Sequence, residues 1–107
     1  MTVKILKSKK QFSEFIHKEK IIMLFSADWC PDCRVIEPIL PEIEQTFSQY
    51  TFVFVDRDQF IDICQQYDVF GIPSFIAFHR GKEIGRFVSR KRKTKEEIIH
   101  FIKELPV

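Results

Sequence analysis

The stretch Ile21-Ile22-Met23-Leu24-Phe25-Ser26-Ala27-Asp28-Trp29-Cys30-Pro31-Asp32-Cys33 decides how this chain is read. The stretch from Ile21 to Ser26, apolar and β-branched up to Phe25, reads as a buried central strand. It leads into two cysteines two residues apart, and these open a helix-like segment. A thiol at a helix N-terminus meets free backbone N–H groups and partial positive charge, so its thiolate is stabilised. A second thiol one turn along can attack a mixed disulfide at once. The pair can therefore cycle between dithiol and disulfide with little movement. A zinc site is the competing reading, but it needs four ligands at matching spacings. Cys64 is the only other cysteine, and His17, His79 and His100 show no ligand spacing. No metal is expected. A purely structural disulfide would close a very small loop. The order strand, C-x-x-C, helix favours redox chemistry over both.

Working outward, Thr2 to Leu6 reads as a first strand. Ser8 and Gln11 have the spacing of a capping box ahead of a helix whose apolar face is Phe12, Phe15 and Ile16. Pro31 suits the first turn of the helix after the cysteines, where a missing N–H costs nothing. Ile36, Ile39, Leu40, Ile43 and Phe47 continue that helix, with kinks expected at Pro38 and Pro41. Thr51 to Val55 is a third strand. Gln59 to Gln66 is a third helix with Phe60, Ile61 and Cys64 inward. Ser74 to His79 and Glu83 to Ser89 form a hairpin around Arg80-Gly81-Lys82. Thr94 and Glu97 cap a last helix striped by Ile98, Phe101, Ile102 and Leu105. The order is βαβαβαββα, an α/β chain without repeats or linkers.

The chain has 107 residues, read as one domain over 1–107 and long enough for a real core, which 12 phenylalanines should dominate. A net charge of +2 gives no reason to expect nucleic acid. Met1-Thr2-Val3-Lys4 lacks the layout of a signal peptide. No apolar run approaches the roughly 20 residues of a membrane span. The expectation is a cytoplasmic, reducing setting, in which C-x-x-C is catalytic rather than structural.

With these residues in view, the chain resembles the thioredoxin family over nearly its whole length. The resemblance rests on Trp29 to Cys33, on Pro38 five residues after the second cysteine, on Gly71-Ile72-Pro73, on Phe78 to Gly81 and on the element order. In more detail it looks like small bacterial thioredoxin-like proteins with a WCPDC active site. The resemblance implies the thioredoxin fold, a mixed central sheet with helices on both faces. It implies a thiol–disulfide oxidoreductase, mainly a disulfide reductase, with Cys30 as nucleophile and Cys33 as resolving thiol. Trp29 would flank the site. Pro73 would be a cis-proline facing the cysteines, and the backbone of Ile72 would pair with substrate. No cofactor is implied beyond the redox-active Cys30–Cys33 disulfide. The expected partners are disulfide-bearing proteins or small disulfides, with a flavoprotein reductase or a low-molecular-weight thiol as electron donor. A monomer is expected. The alternatives are a specialised reductase of low-molecular-weight thiol mixed disulfides and a non-catalytic binding module with the same fold.

Several residues depart from the family pattern. A buried Asp usually stands six residues before the first cysteine; here it is Leu24, and the neighbouring Lys position is Phe54. Both members of the polar pair are lost together, so no unpaired charge is left. Ser26 replaces an aromatic residue, and Ser89 replaces a groove glycine. Glu37, four residues after Cys33, is the candidate to take the resolving thiol's proton, provided it is half-buried. Asp32 competes with a Cys30 thiolate for the same helix-end field and should make the disulfide harder to reduce. Cys64 reads as a small buried hydrophobe. The run Arg90-Lys91-Arg92-Lys93 reads either as a solvated loop or as a patch that steers acidic substrates toward the site.

Overall fold

The computed structural model describes residues 3–107. Five strands form one sheet in the order β1-β3-β2-β4-β5. They are β1 (Lys4–Ile5), β2 (Ile21–Ser26), β3 (Thr51–Asp56), β4 (Ser74–His79) and β5 (Lys82–Phe87). β1 and β2 run parallel to β3, whereas β4 is antiparallel to β2 and β5 to β4. The sheet is therefore mixed, as expected. Thr2, placed in the first strand from sequence, lies outside the described residues.

β2 is buried along its whole length because both of its faces are covered. Its alternate residues divide the core. Ile21, Met23 and Phe25 join Phe12 of α1 (Lys9–Ile16) and Ile63 and Cys64 of α4 (Ile61–Gln66) on one face. Ile22 and Leu24 join Ile36, Ile43, Ile98 and Ile102 on the other. Those come from α2 (Pro31–Ile36), α3 (Leu40–Thr46) and α5 (Lys95–Lys103). This is the thioredoxin fold that the resemblance implied, with helices on both faces.

Five local expectations are corrected. The helix after the cysteines is interrupted rather than merely kinked: α2 ends at Ile36, a 3₁₀ turn spans Glu37–Ile39, and α3 starts at Leu40. Pro38 cannot donate to the carbonyl four residues back, so the helical ladder stops there. α4 starts two residues later than expected, at Ile61. Its inward residues are Ile63 and Cys64 behind a buried Phe60, while Ile61 is 41% exposed. β5 ends at Phe87, paired with Phe75, because Ser89 leaves the sheet for the loop described below. At the first helix, Ser8 Oγ accepts the Gln11 N–H at 3.1 Å, but Gln11 Oε1 accepts from Lys7 N–H, one residue earlier than a capping box requires. The Thr94–Glu97 box closes both ways, at 3.1 and 2.9 Å. The β4–β5 turn is tighter than expected. Arg80 (φ 52°) and Gly81 (φ 87°) both take left-handed backbone, so Lys82 already pairs with His79.

Candidate active site

The two cysteines stand where the central strand hands over to α2. β2 stops at Ser26, and the Cys30 N–H donates to Ala27 O at 3.2 Å, turning the chain into the helix. Pro31 occupies the first helical position and Cys30 is the N-cap. Arg34 Nε donates to Asp28 O at 2.9 Å, tying this turn to the helix that follows it. The Cys30 side chain does the capping itself: its Sγ accepts the Cys33 N–H at 3.2 Å. Sγ also lies 3.8 Å from the carbonyl oxygen of Ile72, within a weak S–H donor contact. The Ile72–Pro73 bond is cis.

The two thiols differ in their surroundings. Cys33 is fully buried and Cys30 is 4% exposed. Burial, then the neighbouring Cys30, push the Cys33 thiol up to about 11, while hydrogen bonds from the Ser26 hydroxyl and the Ala27 backbone pull the other way. Cys33 is therefore a neutral thiol at pH 7. Cys64 is also raised to about 11, by burial, as expected of a small core residue on α4.

Cys30 opens into a groove of about 320 Å³ lined by Trp29, Pro31, Asp32, Arg57, Phe70 and Ile72, among others. Trp29 is 60% exposed, and its Nε1 donates to Asp58 Oδ2 at 2.6 Å. Arg57 pairs with the same carboxylate at 3.1 Å and lies 5.8 Å from the Trp29 ring centre. Phe70, also exposed, carries the Arg90 guanidinium 5.7 Å from its ring centre. The groove floor is apolar and its flanks hold two arginines.

Of the residues singled out from sequence, Trp29, Cys30, Pro31, Asp32, Cys33, Ile72 and Pro73 meet in one place. Glu37 does not meet the condition set for it. It is exposed at the junction between α2 and the 3₁₀ turn, although its N–H still donates to Cys33 O within the helical ladder. The basic run is not uniform either. Arg92 Nε pairs with Asp32 Oδ1 at 3.0 Å, and Lys95 pairs with Glu42. Lys93 is buried, 1% exposed, with Nζ donating at 3.2 Å to Ser89 O, Ser89 Oγ and Lys91 O. The sequence reading passed over Ser26 as a contact of Cys33, and over Arg57, Asp58, Phe70 and Lys93. For Lys93 one signal was available. It immediately precedes the Thr94 cap, a position that packs inward in many helices, but four neighbouring cations hid it. Among the described residues no group of three or more His, Cys, Asp or Glu side chains could hold a metal ion.

Comparison with known proteins agrees with this geometry. A family model described as thioredoxin matches residues 3–104. The chain is 31% identical over 101 residues to thioredoxin of Sus scrofa, covering 92% of this chain and 96% of that protein. It is 34% identical over 87 residues to thioredoxin H2 of Arabidopsis thaliana, covering 80% of this chain but 65% of that longer protein. The crystal structure of thioredoxin from Trypanosoma brucei brucei superposes with a TM-score of 0.86 at 24% identity, over 96% of this chain and 89% of the other. The chain belongs to the thioredoxin family.

Proposed function

We propose that this protein is a thiol–disulfide oxidoreductase working mainly as a disulfide reductase. The observation that carries the reading is the geometry of the pair: Cys30 Sγ accepts the Cys33 N–H while facing the Ile72 carbonyl at the edge of an apolar groove. The Cys30 thiolate attacks one sulfur of a substrate disulfide. A Cys30–substrate disulfide forms, the substrate S–S bond breaks, and the released thiolate takes a proton. Cys33 then gives up its proton to solvent and attacks Cys30 Sγ; the Cys30–substrate bond breaks and the second leaving thiolate takes a proton. The substrate leaves with both sulfurs reduced and the protein keeps the Cys30–Cys33 disulfide. Two electrons have moved from the protein to the substrate, and an external donor must return them. A flavoprotein reductase or a low-molecular-weight thiol suits that role, and a reducing compartment such as the cytosol suits the dithiol form. Substrates would be disulfide-bearing proteins or small disulfides. Ile72 would offer its backbone to the substrate strand, and Trp29 and Phe70 would cover its apolar side chains.

The burial of Cys33 supports the order of events, since a thiol held near 11 is a poor first attacker. Cys30→Ser should abolish disulfide reduction, whereas Cys33→Ser should stall as a single-turnover mixed disulfide that mass spectrometry detects. Iodoacetamide at neutral pH should label Cys30 well before Cys33 or Cys64. Equal labelling of all three thiols would overturn the assignment.

A further inference from the structure

Lys93 is a buried amine for which the reaction just described has no use. An unpaired charge in a core is costly unless hydrogen bonds satisfy it. Here three N–H donors meet three oxygens, and the Phe87 ring centre lies 5.2 Å away. None of the ion pairs among the described residues includes Lys93. Negative charge can approach it from two elements: Cys33 and Asp32 on α2, with Cys30 at its cap, and Glu97 on α5. Burial holds the Lys93 amine below the usual lysine range, and the charges of Cys33, then Glu97, Asp32 and Cys30, act against that.

The amine is also linked to the site through backbone. Ser89 O, one of its acceptors, is pressed against Gly71, where an added Cβ would stand 2.3 Å from that oxygen. Gly71 leads directly to Ile72, whose carbonyl faces Cys30 Sγ. On the other side, Arg92 holds Asp32 between the two cysteines, and Arg90 donates to Phe70 O at 3.4 Å. Residues 89–93 thus form a strap across the end of the sheet, with the Lys93 amine as its knot.

We propose that Lys93 is a positioning residue for the cysteine pair: its buried ammonium folds the 89–93 strap onto the site and favours the negative charge that develops on Cys33 during resolution. The inference rests on the reductase reading of Cys30 and Cys33. Leu24 and Phe54 leave no buried acid behind the pair, and Glu37 is exposed. Charge developing on Cys33 instead meets a cation fixed in advance in a place poor in water, where it acts strongly. Lys93 takes no proton. Cys33 gives its proton to solvent before it attacks; the Cys30–Cys33 bond forms as the Cys30–substrate bond breaks, and the departing substrate thiolate takes a proton from solvent.

The test uses Lys93→Met and Lys93→Gln in the full chain, each checked for folding by circular dichroism and thermal melting. The resolving step is followed by stopped flow from a preformed mixed disulfide across pH 6–10. Both variants lack the charge, but Gln retains donors for the loop oxygens. Both should resolve about tenfold more slowly at pH 7, with the profile displaced to higher pH by about one unit. Lys93→Gln decides the matter if Lys93→Met does not fold. A folded Lys93→Gln with the wild-type profile overturns the proposal, whatever Lys93→Met does. Disulfide reduction by Cys30→Ser at the wild-type rate would instead overturn the reductase reading itself.

Discussion

Asp32 shows how one charge is read differently once its neighbour is known. From sequence it stands alone between two thiols and opposes a thiolate on Cys30. In the structure Arg92 lies 3.0 Å from its carboxylate, with Asp32 31% exposed and Arg92 63% exposed. Solvent screens such a pair, so its effect on poise is moderate. Asp32→Ala should make the disulfide more oxidising by at most about 30 mV, equivalent to about 1.4 kcal/mol for a two-electron couple. Arg92→Ala frees the carboxylate and should shift the potential the opposite way. Equilibration against a glutathione redox buffer measures both. Shifts of the same sign in the two variants would refute the pairing argument. Glu37 and Lys93 carry the same lesson. The Glu37 N–H does donate to Cys33 O one turn back, but spacing does not reveal that the Glu37 carboxylate stays in water.

At the scale of elements, the order of strands and helices was legible because apolar periodicity and caps mark each one locally. β2 and β4 match their expected bounds, and the Thr94–Glu97 box was readable in full. What was not legible is how loops meet. Gly71 reads as part of a Gly-Ile-Pro turn, yet its constraint comes from Ser89 across the groove. Gly71→Ala would drive a Cβ to 2.3 Å from Ser89 O and 2.7 Å from its carbonyl carbon, which are backbone atoms unable to rotate away. The strap must then move bodily. We expect a loss of about 1–3 kcal/mol, as for other overpacked sites, together with faster proteolysis after Arg90 or Arg92. Chemical denaturation and limited trypsin digestion measure the two effects. A variant as stable and as resistant as wild type would mean that the strap does not press on Gly71.

At the scale of the whole molecule, the central position of β2 sets both the site and its pH behaviour. Its carboxyl end lies beside the start of β4, so the cysteines and Pro73 converge although 40 residues separate Cys33 from Pro73. The cover on both faces of the sheet also buries Cys33 and Cys64, and each is raised from 9.0 to about 11. The fold therefore prefers both as neutral thiols. That preference is fully present below pH 9, where folded and unfolded chains are alike protonated. It is lost as pH rises through 11, since the unfolded chain ionises first. Each thiol should cost on the order of 1–3 kcal/mol of stability across that window. Oxidation to the Cys30–Cys33 disulfide removes one of the two titrations. Urea melts at pH 8 and 10.5 should show a smaller alkaline loss for the oxidised protein than for the reduced one. Equal losses would contradict the burial of Cys33.

The elements, the C-x-x-C pair at a strand-to-helix junction and the family resemblance are legible along the chain alone. They are written in nearest-neighbour chemistry: apolar spacing, caps, a proline at the first helical turn. Folding adds that Lys93 is buried while Glu37 is not, that Arg92 meets Asp32, and that Ser26 contacts Cys33. Arg92 meets Asp32 across 60 positions of the chain. Lys93 reaches oxygens only two and four residues away, and Ser26 is near Cys33 in sequence, yet both contacts depend on the path the loops take once the sheet and helices have packed. A charged side chain is solvated or buried according to that path, and no local pattern encodes it.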